Sequence, residues 1–584
     1  MDHPHRSDCG EFPKHPLVRW TSLFGLVIAA GLATRPYVEM GFNDDWDYTH
    51  LALTFAARHH IVYSGWATAA VLVQVVYAAL LTKLFGGAYT VHRLGTLFIS
   101  GFLPIVTYKT GRALKLRGEY AYFAALALGL SPYFIPHEVS FMSDVYGCAF
   151  TLAAMHAGIR AVRASTGARA LVWYAVSLAW AFAGGANRQV VWVIGPAVFV
   201  GYFLAWRVRD RASLAAGVLL TAVYIAGCWM IMAWLKRQPG FLFEAPSAST
   251  LRDFSAQIVN VVRLYSALLL TLLALAIPVL VAGVRLRRRA PVLAAVIVGI
   301  AVYAVCAWKV RMAFPYLFNV LSNYGLLTPG TTLPGSMPVV LPNWICRLIT
   351  AAACGLTTLL LASWLPHARR SVTRAARALW QSAGEDTRDA AAGTIPWVYT
   401  ALYAGALIVR ASRGEMYDRY ALPLAPVLIF GILRMWQTAG RPRPNAAGYL
   451  LLAVFAAFGI AVTHDHFELS RQRVAALEAL RSLGIERQRI EAGFEADMSY
   501  QEEARGSIYR GEPGGPPVQD APLPTDGSPR IWYSPMTPAI TPAYYMATSP
   551  LPHMNDCAVP RFDYRTWLPP TERRLYVVCA EAKQ

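Results

Sequence analysis

The stretch from Ile61 to Phe85 reads IVYSGWATAAVLVQVVYAALLTKLF, 25 residues with a single formal charge at Lys83. A spanning helix needs ~20 mostly apolar residues, so hydropathy alone would send this stretch across a bilayer. Whether it crosses decides which side every later segment faces. The rest of the chain makes a bilayer unavoidable: 584 residues are 56% hydrophobic and 15% charged, with a mean hydropathy of +0.38. That is too apolar for a chain that must cover its surface with charge in water.

Scanning for apolar runs gives thirteen further candidate spans, near residues 20 to 40, 90 to 108, 119 to 136, 144 to 162, 170 to 186, 189 to 206, 213 to 235, 260 to 284, 290 to 308, 343 to 365, 394 to 410, 420 to 437 and 446 to 463. The positive-inside rule then settles the fourteenth. If 61 to 85 does not cross, 25 basic residues collect on one side, among them Lys109 to Arg117, Arg285 to Arg289 and Arg369 to Arg388, against 9 on the other. If it crosses, 22 of those 25 move to the wrong side. The stretch is therefore expected at the outer interface, with Gln74, Thr68 and Lys83 meeting water or protein. The net charge of +19 is thus a matter of membrane topology, and nucleic acid is not expected as a partner.

This sidedness predicts an all-α polytopic membrane protein with the N-terminus inside, a first outer loop from about 41 to 89, and a small α/β extracytoplasmic domain over 464–584 after a transmembrane domain over 1–463. The polar, basic first 19 residues run into an apolar segment without a small-residue cleavage site, which reads as a retained first span. In the tail, Phe467 to Leu483 has helical spacing, Glu512 to Pro529 is a Pro/Gly-rich linker, and Arg574 to Cys579 reads as a strand. Cys148, Cys228, Cys306, Cys346 and Cys354 sit in apolar runs as small hydrophobes, whereas Cys557 and Cys579 share a polar region and can either pair or stay as thiols. His464, Asp465 and His466 read as a solvated turn where helix gives way to tail, with a metal site as the minor alternative.

The first outer loop opens Gly41 Phe42 Asn43 Asp44 Asp45 Trp46 Asp47 Tyr48. Three carboxylates in four residues beside a membrane repel one another and resist desolvation unless they bind something. Helix capping by Asn43 or Asp44 would need one acid, not three. A second acidic segment, His137 Glu138 to Ser143 Asp144, falls in the next outer loop. Capping by Asp144 or Ser143 is again the plain alternative. Cations reach the same face at Lys83, Arg93, Arg188, Arg410, Arg413 and Arg419. Singly each can snorkel; together they could hold a phosphate, Arg as a fork and Lys as a point charge.

The acid motif after the first span resembles the Asp-Glu-x-x-Tyr type motif of bacterial GT-C glycosyltransferases, the superfamily of protein O-mannosyltransferases and lipid A aminoarabinose transferases. Leu81 to Gly86 with Val91 to Leu94, Phe141 to Val145, and Asp418 Arg419 Tyr420 to Pro426 are similar to further segments of that family in the same order. Asp45 stands where Glu is frequent, and Asp47 is extra. The resemblance covers the membrane part and implies interfacial helices in the first outer loop. It also implies residence in the cytoplasmic (inner) membrane with the active site outside, a polyprenyl-phosphate-linked sugar donor, and a glycan, lipid or protein acceptor, besides membrane lipids.

The chemistry so implied is an inverting transfer with no covalent intermediate. An acceptor hydroxyl needs a base, and the leaving phosphate needs cations in a poorly hydrated site. By motif position Asp44 is the expected base and Asp45 orients acceptor or base. Asp47, Tyr48, Glu138 and Asp144 are expected to bind substrate, with Lys83, Arg93, Arg188 and Arg419 as phosphate ligands. No cofactor is called for, although a divalent cation between the two acidic loops would suit carboxylate oxygens. The competing readings are a lipid flippase or transporter, which would place charges near the midplane and repeat internally, and a surface-polysaccharide polymerase or ligase using lipid-diphosphate donors.

Overall fold

A computed structural model describes residues 15–207, 209–242, 254–283, 294, 297–301, 304, 320–327, 333–360, 385–411, 417–440, 443–508, 529, 531–557 and 559–580. The span expected over 290 to 308 is mostly outside these residues, as are Arg285 to Arg289, Arg413 and nearly all of the Pro/Gly-rich stretch. Among the described residues nine helices are long and apolar enough to cross a membrane. The chain is mostly helical, with a small sheet near its C-terminus.

Helix α1, Pro16–Ala33, begins with Pro at its first position and ends where the Thr34 hydroxyl donates to the Gly31 carbonyl at 2.7 Å. Then come α2, Asp45–Arg58, and α3, Leu72–Phe85. Fourteen residues of α3 span only ~21 Å at 1.5 Å per residue, short of the ~30 Å hydrocarbon core. Its polar side chains meet protein: Gln74 Nε2 donates to the Phe141 carbonyl at 2.7 Å and its backbone N–H to Asn187 Oδ1 at 2.9 Å. The non-crossing reading of 61 to 85 agrees with this length.

Helix α4, Tyr89–Ala113, is followed by α5, Gly118–Gly129, which stops well short of the span expected to reach 136. Ser131 and Pro132 break it, with Ser131 accepting the Phe134 N–H, and the five-residue α6, Phe134–Glu138, turns the chain toward α7, Ser143–Arg163. Helix α8, Gly167–Asn187, packs along α7. At the far end of α7 from Asp144, Asp389 takes Arg163 at 2.9 Å and Lys115. The 21 residues of α7 measure ~31 Å, so Asp144 and the Asp389 cluster stand a full span apart. Asp389 thus gathers Lys115 and Arg163 at one end of the helices that carry them.

The helix Ala446–Ser482 runs 37 residues without interruption, ~55 Å and much longer than a bilayer core. This corrects the expected turn at His464 to His466. The apolar run ends there, but the polar residues keep helical spacing, so the span ends and the helix does not. His464 is buried, stacked on Trp567 at 3.8 Å, with Glu468 at 3.2 Å from Nε2. Asp465 accepts the N–H groups of Trp567 and Leu568 at 2.7 and 2.8 Å. These side chains stitch rod to tail and are not solvated.

Beyond the rod lie β1, Ile490–Glu491, the helix Phe494–Arg505, and strands β2, Tyr544–Ala547, β3, Met554–Asp556, β4, Phe562–Arg565, and β5, Glu572–Ala580. The sheet order is β1-β2-β5-β3, with β4 also paired to β5. Cys557 and Cys579 form a disulfide, Cα to Cα 5.7 Å, so the pairing alternative is the one realised.

Candidate active site

Asn43 takes a left-handed φ of 56°, which turns the chain sharply into α2. The next residues divide the work. Asp45 is fully buried: Oδ1 accepts the Phe42 N–H, and Oδ2 lies 3.4 Å from Arg93 Nε and 3.3 Å from the Phe141 N–H. Burial outweighs Arg93 and pushes its pKa up to about 6. Arg93 in turn donates to the Val38 carbonyl at 2.7 Å and to the Met40 carbonyl. Asp45 and Arg93 therefore clamp residues 38 to 45 onto α4 and the second acidic segment. Neither lines the cavity described below.

Asp44 occupies the N-cap position of α2 but makes no capping bond with its side chain. Its oxygens go elsewhere: Oδ1 accepts Trp66 Nε1 at 3.0 Å and Oδ2 accepts Arg419 Nη2 at 2.9 Å. The capping explanation for this acid is excluded. Asp144 likewise caps nothing, the cap position of α7 being Met142, and instead pairs with Arg188. Gly147, one turn further, leaves room for that arginine; a Cβ there would stand 3.3 Å from Arg188 Cδ. Arg188 is presented by the break after α8, where Asn187 holds α3 and the Gln189 amide donates to the Thr68 carbonyl at 3.0 Å.

Arg419 follows Asp418, whose carboxylate accepts the N–H groups of Leu321 at 2.9 Å, Val320 at 3.2 Å and Arg419 itself at 2.8 Å. The Asp418 carboxylate thus fixes the turn that aims the guanidinium. A cavity of about 230 Å³ opens here, lined by Tyr48, Asp144, Arg188, Arg410, Arg419 and Tyr420 among others. Arg410 Nη2 donates to the Tyr420 hydroxyl at 3.0 Å. Three guanidinium carbons lie near the one Tyr420 ring: Arg410 at 4.9 Å, Arg188 at 5.4 Å and Arg419 at 5.8 Å. Among the lining residues the single carboxylate of Asp144 faces three guanidinium groups, an excess of positive charge that suits an anion.

The two acidic segments and Arg188 and Arg419 thus come together. Lys83 does not; it is exposed at the end of α3 and is not among the cavity's lining residues. Glu138 is buried off the cavity, neither oxygen having a hydrogen-bond partner, and burial raises its pKa well above the carboxylate range. Asp47 accepts the Ser64 hydroxyl and faces Glu502 of the tail. Burial, with Asp47 and Glu503, pushes Glu502 up to about 10, and His50 Nε2 stands 3.5 Å from it. Among the described residues no group of three or more His, Cys, Asp or Glu is arranged to hold a metal ion. Trp66 and the cavity-lining Tyr403 are not singled out by the sequence, because an aromatic in an apolar run carries no mark of polar work, and Tyr420 enters there only as part of the Asp418 to Pro426 segment.

The tail closes over this region. Phe494 lies 5.4 Å from Trp66 and 6.3 Å from Trp46, and stacks on Trp532 at 5.3 Å. The Ile508 N–H donates to the Ser64 carbonyl at 3.0 Å.

No protein-family profile matches the chain, and no curated protein matches it. Among solved structures it is similar to ArnT from Cupriavidus metallidurans bound to undecaprenyl phosphate, at 14% identity over 97% of this chain and 98% of that one, TM-score 0.38. It is also similar to the oligosaccharyltransferase of Archaeoglobus fulgidus, 13% identical over 80% of this chain and 58% of that one, TM-score 0.37. The Pmt1-Pmt2 protein O-mannosyltransferase complex of S. cerevisiae is 12% identical over 39% of this chain and 36% of that one, TM-score 0.30. Likeness this distant carries no functional weight, and the reading below rests on the site itself.

Proposed function

We propose that the chain is a membrane glycosyltransferase of GT-C type that moves a sugar, with inversion, from a polyprenyl-phosphate donor to a glycan, lipid or protein acceptor at the outer face of the cytoplasmic membrane. The observation that carries this reading is the cavity in which Arg188, Arg410 and Arg419 surround Tyr420 beside Asp144, with Asp44 held directly behind Arg419. A phosphate entering it meets three guanidinium forks, enough to stabilise the charge that develops as the glycosidic bond breaks.

The same pairing gives Asp44 its role. While Arg419 holds Oδ2, that oxygen is closed to an acceptor hydroxyl. A donor phosphate competes for the guanidinium, and Asp44 is left with the Trp66 N–H on one oxygen and the other available to an acceptor hydroxyl. Asp44 acts as the base, and Asp144 sets Arg188 and meets sugar hydroxyls. Asp45 and Arg93 position the loop without touching substrate. Residues 1–463 supply the catalytic bundle and 464–584 an outer domain that roofs the first loop.

The test is sugar release or transfer by detergent-solubilised protein supplied with a polyprenyl-monophosphate sugar. A transporter needs two compartments and would give no turnover in micelles. A polymerase or ligase would turn over only the lipid-diphosphate sugar. Turnover with the monophosphate donor, lost in Asp44→Asn, is the expected result.

A further inference from the structure

Residues 61–70, between α2 and α3, form neither helix nor strand, so regular structure does not orient the Trp66 side chain. Its indole N–H is nevertheless aimed at Asp44 Oδ1, 3.0 Å away. The tail supplies part of the hold. Phe494 lies against the indole at 5.4 Å, and with Trp46 the two rings form a triangle whose other sides are 6.0 and 6.3 Å. These rings belong to a separate apolar cluster drawn from both parts of the chain: Trp46 and Trp66 before α3, and Phe494, Met498, Ile508 and Tyr533 in the tail. Ile508 adds a backbone tie through the Ser64 carbonyl, while Ser64 Oγ accepts the Trp66 backbone N–H at 3.2 Å. Ring and backbone of the residue behind Asp44 thus both lean on the tail.

Phe494 is itself held from several sides. Arg473 of the rod, fully buried, grips the turn around it, Nε donating to the Ala492 carbonyl at 2.9 Å and Nη2 to Glu495 at 2.9 Å. Asp497 and Glu491 accept the N–H groups of Ala492 and Gly493 at 3.1 Å each. Gly41 brings this turn close to the first loop: a Cβ there would stand 3.1 Å from Glu495 Cβ. Buried, charge-assisted bonds of this kind are costly to break, so the Phe494 ring is a fixed wall for its neighbour. A wall at that place sets the plane of the indole. The plane in turn decides that Oδ1 of Asp44 is the occupied oxygen and Oδ2 the one contested by Arg419.

We propose that Phe494 is a positioning residue for Asp44, acting through Trp66, so that the tail completes the candidate site without lending a group to its cavity. The effect on catalysis rests on the reading of Asp44 as base; the positioning itself is read without turnover. The measurement is deuterium exchange of the Trp66 indole N–H in full-length protein in detergent, with isotopically labelled tryptophan and the signal assigned by its absence from Trp66→Phe. Exchange should be at least about tenfold faster in Phe494→Ala and in Asp44→Ala, the loss of one hydrogen bond to a charged group. It should stay at the wild-type rate in Val577→Ala, which loosens the separate core of the sheet. Phe494→Leu keeps apolar volume and should move exchange the same way by less, which serves if the alanine variant does not fold. In turnover, Phe494→Ala should lower kcat about as far as Trp66→Phe, with the donor KM unmoved. The two changes together should cost no more than one, because both act through the same bond. Wild-type protection in both Phe494 variants, equal acceleration in Val577→Ala, or additive losses in kcat would overturn the proposal. A wild type without turnover, its exchange pattern intact, would overturn the transfer reading alone.

Discussion

Arg419 reaches Asp44 at 2.9 Å across 375 positions of chain, and this one contact joins the loop after the first helix to the turn before a late apolar helix. Every other feature of the candidate site is arranged around it. Trp66 holds the opposite oxygen of the aspartate, and Asp418 holds the backbone from which the arginine departs.

If Asp44 is the base, Asp44→Asn keeps shape and loses proton acceptance. Turnover should fall by ~10²–10⁴, the usual contribution of a general base, while donor binding is retained. Single-turnover assays with a labelled donor check this, and an Asn variant within a few fold of wild type would refute the role.

Trp66→Phe tests the support of that base more gently. The ring contacts with Phe494 remain and the N–H to Asp44 is lost. A hydrogen bond to a charged group is worth ~1.5–3 kcal/mol, so kcat should drop by roughly tenfold or more with the melting temperature nearly unmoved. A fall in thermal stability with unchanged kcat would assign the residue to packing alone.

Arg93 makes the opposite prediction. Its guanidinium and the Asp45 carboxylate are both wholly buried, and breaking such a pair from one side costs about 3–5 kcal/mol. Arg93→Ala should therefore lower the melting temperature in detergent markedly. Arg93→Lys should not restore it, because a single ammonium cannot serve the Val38 and Met40 carbonyls and Asp45 together.

Glu502 gives a pH dependence of defined sign. Its folded pKa of about 10 lies above the ordinary 4.5, so the folded chain binds more protons than the unfolded chain between those values. Stability from this group is full below about pH 4.5 and is lost as pH rises through the window toward 10. Thermal midpoints measured at pH 6 and pH 9 should fall with pH in the wild type and fall less in Glu502→Gln. A variant with the same slope as wild type would show that the contact with Asp47 does not control docking of the tail.

Much of this was legible in the sequence because charge is legible. Asp44, Asp144, Arg188 and Arg419 stand out in apolar surroundings, and the count of basic residues kept Ile61 to Phe85 out of the set of spans, in agreement with the length of α3. What could not be read was which acid does which task. Asp44 and Asp45 are neighbours in chain and opposites in surroundings, a difference created by Arg93, Trp66 and Arg419 from far away. The gathering of Arg188, Arg410 and Arg419 around the Tyr420 ring and the docking of Phe494 between Trp46 and Trp532 are likewise products of through-space packing. Hydropathy also marks where an apolar run stops, which for Ala446–Ser482 is not where the helix stops.

That unbroken rod has a geometric consequence. Because each residue of an α-helix advances the azimuth by about 100°, the number of residues between the bundle and the sheet acts as a dial. Deleting one residue between Glu468 and Ser482 would swing the C-terminal sheet region by more than a quarter revolution, carrying Phe494 away from Trp46 and Glu495 away from Gly41. Inserting seven would restore the heading nearly intact while lifting the roof by ~10 Å.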